Sequence, residues 1–222
     1  MDHDPQIPWT QLAAFVRQHT HDVRNHLNGL DLEAALLAEL VEGGEAKASV
    51  DRLRRQIRTC ANQLRALSSK FSEPPTGRAA VPASMLMLVW QDQAAALEPK
   101  PEVAWAEDVG DAKVTVDPES LAQTFRELLV NATSFGSGKP LQAKAEVTDG
   151  HVQFTLSEPK DAPVDPSQWT PLKSTRRGGY GLGLWNADRR IEASHGHIER
   201  RYDSSAGQLV TTITFPTLSP AQ

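Results

Sequence analysis

Cysteine is nearly absent from this 222-residue chain: Cys60 stands alone, so no intramolecular disulfide can form. Long apolar runs are missing as well. The longest, Met85 to Trp90, falls far short of the roughly 20 residues that a membrane-spanning helix needs. There is no excess of basic charge. A formal net charge of −5 argues against general nucleic-acid binding, which usually uses a basic surface. The N-terminus, Met1-Asp2-His3-Asp4-Pro5, lacks the basic and apolar regions of a signal peptide, which makes the cytoplasm the expected compartment. No internal repeat is visible. The mean hydropathy of −0.43 is that of an ordinary soluble protein, and the length suits one large or two small domains.

What is present begins with His21-Asp22-Val23-Arg24-Asn25-His26-Leu27-Asn28. Residues three, four and seven apart stack on one side of a helix, so His21, Arg24, Asn25 and Asn28 are expected to share a polar face. Leu12, Val16, Val23, Leu30, Leu37 and Leu40 form a separate apolar stripe, with His19 and His26 on it. His21 is thereby directed outward and the other two histidines toward a seam. A neutral imidazole on a rigid helix suits phosphoryl transfer, because its nitrogen attacks well near pH 7. A solvated face that happens to carry a histidine is an equal reading of this segment alone. His19 and His26 stay open as alternative acceptors.

This helix is expected over about Trp9 to Val41, with Gly43-Gly44 breaking it. A second carries Val50, Leu53, Ile57, Cys60, Leu64, Leu67 and Phe71 in an unbroken 3-4 series. Cys60 reads there as a small core residue. Arg52, Arg54, Arg55, Arg58 and Arg65 read as solubilising charges on the other faces. Two helices with narrow seams bury too little surface alone, so a homodimer forming a four-helix bundle is expected.

Residues 74–79, with Pro74-Pro75-Thr76-Gly77, read as a linker between a helical hairpin over 1–73 and a mixed domain over 80–222. In the latter, a helix is expected around Ala83 to Leu97 and strands near Glu102 to Ala106 and Lys113 to Val116. Asp117 caps a helix from Pro118 to about Phe135. Leu141 to Thr148 and His151 to Leu156 form a hairpin about Asp149-Gly150. Ser157 to Tyr180 reads as a long loop, of the kind that serves as a lid. A helix over Leu182 to Ser194 and strands near Ile198 to Tyr202 and Gln208 to Phe215 complete the domain.

Two segments here carry chemistry. Glu127 and Asn131 lie four apart on an otherwise apolar helix and can offer oxygens to a hydrated Mg²⁺. Gly179, Gly181, Leu182 and Gly183 lead into the next helix, where glycines and unpaired N–H groups favour an anion. Lys173, Ser174 and Thr175 add cationic and hydroxyl groups for phosphates. Taken singly, Glu127 and Asn131 read equally as a polar helix edge, and the glycine turn is a weak signal.

In this order the elements resemble the two-component sensor histidine kinases, whose catalytic domain is shared with Hsp90 and gyrase B. His21-Asp22-Val23-Arg24-Asn25 resembles the phosphoacceptor box, Glu127 to Phe135 the asparagine box, and Gly179 to Leu184 the second glycine box. His195-Gly196 is similar to the usual end of that last helix, and Pro171 to Thr175 to the phenylalanine box with Leu172 in place of the aromatic. The resemblance implies an α+β chain: an antiparallel helical hairpin followed by an α/β-sandwich ATPase domain of the Bergerat type. It further implies ATP as cofactor, Mg²⁺ on Asn131, His21 as acceptor with Asp22 and Asn25 beside it, and a response-regulator receiver domain as partner.

One departure bears on mechanism. The first glycine box, Asp-x-Gly-x-Gly, is replaced: Glu158 stands at the adenine-recognising Asp, Lys160 and Ala162 at the two glycines. Losing a matched polar contact in a buried pocket costs a few kcal/mol, which turns a micromolar site millimolar. The short stretch before the acceptor helix leaves no room for a sensor, so input is expected from an upstream kinase or sensor protein. Three readings stand: an ATP-dependent kinase phosphorylating His21, a histidine phosphotransferase relaying between response regulators without ATP, and a non-catalytic protein that sequesters partners.

Overall fold

The structure, a computed structural model, describes residues 8–41, 43–72, 77–171 and 181–218. The chain divides into two compact units, Met1–Glu73 and Pro74–Gln222.

The first unit is a pair of helices, α1 (Trp9–Leu40) and α2 (Gly44–Lys70). Gly43 and Gly44 both take positive φ, 70° and 74°, which lets the chain reverse within a very short turn. The helices run antiparallel. Arg17 of α1 donates to the Phe71 carbonyl after α2, and Asp31 accepts from Arg54 at 3.1 Å. Trp9 stacks on Phe71 with centroids 5.1 Å apart and closes the open end.

The seam differs from the expected stripe. Ala13, Thr20 and Ala34 of α1 are buried against Ile57 and Ala61 of α2. Leu30, Leu37 and Leu40 are at least half exposed, and His19 and His26 are exposed with them. The two histidines therefore do not point into the hairpin seam, and His19 instead stacks on the exposed Phe15. Cys60 is exposed and is not a core residue of this unit. The physical reason is packing distance: alanine on both helices lets the backbones approach closely, and the bulkier leucines are left on the outer flank.

The second unit is α+β. In chain order it comprises β1 (Ala79–Pro82), α3 (Ala83–Ala95), β2 (Val103–Asp108), β3 (Lys113–Val116), α4 (Pro118–Phe135), β4 (Leu141–Thr148) and β5 (His151–Pro159). A short 3₁₀ turn (Pro166–Gln168), α5 (Gly183–Ala193), β6 (His197–Asp203) and β7 (Gln208–Pro216) complete it. The sheet order is β2-β4-β5-β7-β6, with β2 and β4 parallel and the other neighbours antiparallel. β1, in and beyond the stretch read as linker, pairs with β3 in a separate two-stranded ribbon.

Alternation along β4 and β5 turns one face inward, so Ala143, Ala145, Val152, Phe154 and Leu156 meet the helices. The centre is aromatic: Trp90 of α3 stacks on Phe125 of α4 at 4.6 Å, and Phe154 meets both edge-on. Asp117 accepts from the Ser120 N–H at 2.7 Å and starts α4 with Pro118 in its first turn. The β4–β5 turn places Asp149 and Gly150 at φ 51° and 73°, as a two-residue turn with both central residues left-handed requires. The expected loop from Ser157 is shorter at its start, because β5 extends to Pro159.

Candidate functional site

His21 stands on a flank of α1 at the edge of the helix pair, with its side chain 54% exposed. Its Nδ1 lies 3.2 Å from Asp22 Oδ1 and 3.4 Å from Asn25 Nδ2. The two contacts ask opposite things of one nitrogen, since a carboxylate requires Nδ1–H and an amide N–H requires a lone pair. The shorter, charge-assisted contact to Asp22 governs. Gln18 donates to Asp22 at 2.9 Å; this bond first, and the one from His21 second, hold the Asp22 carboxyl below its ordinary value. An ionised Asp22 therefore fixes the proton on Nδ1 and leaves the lone pair on Nε2.

Between the helices beside His21 is a cleft of about 180 Å³. Arg17, Thr20, His21 and Arg24 line it from α1, and Arg65 and Ser68 from α2. Arg65 was expected to be a solubilising charge; it faces this cleft instead. Arg54 and Arg58, given the same reading, pair with Asp31 at 3.1 and 3.7 Å.

In the second unit, α4 and α5 bring Glu127, Asn131 and Gly183 together. A β-carbon on Gly183 would lie 2.7 Å from Glu127 Oε2 and 3.9 Å from Asn131 Nδ2, so only glycine fits without displacement. Gly181 takes φ 64°, and Leu182 is buried as the residue preceding α5. Asn131 Nδ2 and Asn186 Nδ2 are buried without a hydrogen-bond partner. Arg190, partly buried on α5, has its pKa pulled down by burial and held up by the charge of Glu127. Lys173, Ser174, Thr175 and Gly179 lie outside the described residues, as does Leu172.

Glu158 occupies an inward position on β5, in step with Val152, Phe154 and Leu156. Strand periodicity thus carries a carboxylate to the core face. Lys160, two residues on, donates to it at 2.8 Å, and both side chains are only 8% exposed. The ammonium also donates to the carbonyl of Phe135 at the end of α4, 3.2 Å away. Burial pushes the Glu158 carboxyl above its ordinary value, against the opposing hydrogen bond and charge of Lys160. Sequence reasoning placed Lys160 at a lost glycine and did not find this pair. The signal was there in the two-residue spacing, which puts both side chains on one side of an extended strand.

No family model matches the chain, and no curated protein matches it either. Solved structures do. Full-length ShkA in complex with AMPPNP is similar over 94% of this chain and 47% of that one, with TM-score 0.66 and 21% identity. This chain thus spans about half the length of ShkA. The mycobacterial sensor histidine kinase MprB matches 63% of this chain and 97% of its own, with TM-score 0.53 and 15% identity. The catalytic domain of histidine kinase ThkA matches 63% and 95%, with TM-score 0.53 and 19% identity.

The chain has the fold of the sensor histidine kinases. Of the described residues that resemble the asparagine box and the second glycine box, Glu127 and Asn131 meet Gly183 where α4 packs on α5, and Gly181 and Leu182 directly precede it. Gly196 closes the end of α5 against the Phe215 ring and Ile191, with His195 before it in the left-handed region at φ 57°. None of the described helices is long and apolar enough to cross a membrane.

Proposed function

We propose that this chain is a histidine phosphotransferase of the two-component type, carrying a phosphoryl group on His21 between response-regulator receiver domains. The observation that carries the reading is the His21–Asp22 pair on an open helix face. Nε2 attacks the phosphorus of a receiver's aspartyl phosphate; the P–O bond to that carboxylate breaks as the P–N bond forms. Asp22 holds the Nδ1 proton and offsets the charge that grows on the ring. A carboxylate of a second receiver then attacks the same phosphorus, and the imidazole leaves. Asn25 lies beside the ring, one turn further along α1.

The fold family implies ATP and Mg²⁺, and the residues present divide on that point. Asn131, Glu127 and Gly183 suit the metal and phosphate end, and Asn131 Nδ2 is an orphaned polar atom there. Glu158 does not suit the base end. Its carboxylate is held by Lys160, and an adenine amino group would have to break a nearly buried ion pair to reach it. The transfer between receivers needs no nucleotide. The kinase reading is the second one, supported by the Asn131–Gly183 packing and by the likeness to solved histidine kinases.

The outer flank of α1, with Phe15, Leu30, Leu37 and Leu40, supports a homodimer through a four-helix bundle. Leu30 and His21 are nine residues apart, about half a turn out of phase, so this association leaves His21 open. The deciding test offers labelled phosphate from γ-labelled ATP with Mg²⁺ and, separately, from a phosphorylated receiver domain. Acid-labile label on His21 from the receiver and none from ATP is expected. Label from ATP, lost in His21→Ala, would make the chain a kinase; no label from either source leaves sequestration of partners.

A further inference from the structure

The hairpin has a charge asymmetry that the phosphotransfer step does not use. Asp22 is the sole carboxylate in residues 9–28 and 52–72, although the whole chain carries net −5. Arg17, Arg24 and Arg65 converge from two helices on the cleft that also contains His21, Thr20 and Ser68. Arg17, Thr20, His21 and Arg24 follow the spacing i, i+3, i+4, i+7, which stacks them along one side of α1. Arg17 is anchored by its bond to the Phe71 carbonyl, 3.4 Å away. Among the described residues Arg24 and Arg65 have no ion-pair partner. Asp31 does not serve them: it is engaged by Arg54 and Arg58, and lies seven residues beyond Arg24, about 10 Å along the helix.

Paired arginines without carboxylates, in a concave site with two hydroxyl-bearing residues, have the donor set of a tetrahedral oxyanion site. Guanidinium forks give two parallel N–H donors each and match the oxygens of a phosphate. We infer that the Arg17–Arg24–Arg65 cleft is a binding site for a phosphate dianion next to His21, with Arg24 and Arg65 as its free donors. The ligand has two chemical sources: the phosphoryl group once it is attached to His21, or free inorganic phosphate. Applied to the first source, the inference rests on the phosphotransferase reading. Arg24 and Arg65 then act as positioning residues that hold the non-bridging oxygens and slow attack by water.

The experiment uses the full chain and reads the His21 ring nitrogens by NMR, assigned against His21→Ala. Inorganic phosphate is titrated into the wild type, the Arg24→Gln/Arg65→Gln variant and the Arg24→Lys/Arg65→Lys variant at constant ionic strength. The expected result is a saturable shift in the wild type, weakened by roughly tenfold or more in the Gln variant and partly kept in the Lys variant. No saturation in the wild type, or a Gln variant with native amide spectra that titrates like the wild type, overturns the site.

A second arm treats the same proteins with phosphoramidate. Its P–N bond breaks as the His21 imidazole forms a new one, and the displaced ammonia takes the ring proton. A phosphohistidine lifetime several-fold shorter in the Gln variant assigns the site to the attached phosphoryl group. Equal lifetimes, with phosphate binding saturable in the wild type and weakened in the Gln variant, assign it to free phosphate. If phosphate binds while His21 accepts nothing, the phosphotransferase reading fails and the anion site stands.

Discussion

Glu158 and Lys160 form a nearly buried ion pair, 2.8 Å apart, where related folds are expected to keep an acid and an open glycine. Breaking one side of such a pair leaves an uncompensated charge, whereas replacing both sides by neutral groups is often harmless. Lys160→Met is therefore expected to destabilise the second unit by about 3–5 kcal/mol. Glu158→Gln, which strands the ammonium, falls in the same range, and the double variant recovers most of the loss. Urea unfolding of the four proteins measures the cycle; additive single losses would show that the pair is not coupled.

The same carboxylate predicts a pH signature. Burial raises the Glu158 pKa in the folded chain above its ordinary 4.5, so the folded state holds a proton that the unfolded state has lost. Its contribution to stability is complete below pH 4.5 and declines as pH rises toward the folded value. Removing Lys160 raises that value further and widens the window. Melting temperatures of Lys160→Met, compared across pH with those of the double variant, should fall with rising pH above 4.5. Parallel profiles would mean that Glu158 does not titrate in that window.

Asp22→Asn tests the tautomer argument. An amide at position 22 neither holds the Nδ1 proton as tightly nor offsets ring charge. The rate of phosphoryl receipt from a receiver is expected to drop roughly a hundredfold, within the usual range for a positioned acid–base group. Both groups are about half exposed, so the melting temperature should hardly move. A full-rate Asp22→Asn variant, measured by rapid-quench phosphotransfer, would remove Asp22 from the mechanism.

How far these features were legible in the sequence depended on whether the signal was local. Asp117-Pro118 begins α4 and Asp149-Gly150 turns β4 into β5, since capping and left-handed φ are properties of one or two residues. The polar face of His21, Arg24 and Asn25 followed from helix spacing alone. β1 escaped, being four residues long with its partner β3 more than thirty residues away. The hairpin seam escaped for a different reason: α1 carries two apolar stripes, and hydropathy favours the leucines, while close packing selects Ala13, Ala34 and Ala61. The Glu158–Lys160 pair needed the inward face of β5 and the end of α4 before its burial could be seen. The cleft at Arg17, Arg24 and Arg65 needed both helices in register.

Glycine at 196 is predicted to matter more to stability than glycine at 183. A β-carbon at 196 would run into the Phe215 ring and Ile191, both buried and held by the core. At 183 it would meet the end of Glu127, a side chain that can rotate away. Overpacking against fixed groups costs about 1–3 kcal/mol, so Gly196→Ala should lie in that range and Gly183→Ala below it. Denaturant midpoints separate the two, and the reverse order would contradict the packing of α5.

Leu30 and Leu37 are one heptad apart, each 50% exposed on the single chain. Exposed leucines at that spacing, with Phe15 and Leu40 on the same side, form a stripe that water solvates poorly and a second helix pair would cover. Light scattering is expected to give twice the 24.3 kDa chain mass for the wild type. Leu30→Lys/Leu37→Lys should shift it to the single-chain mass, because two opposed stripes would then bring like charges together. His21 lies about half a turn from Leu30, so the monomeric variant should still accept phosphoryl from phosphoramidate at close to the wild-type rate. A variant that stays dimeric would place the association elsewhere on the chain. One that becomes monomeric and loses His21 phosphorylation would show that the partner helix pair helps to build the acceptor site.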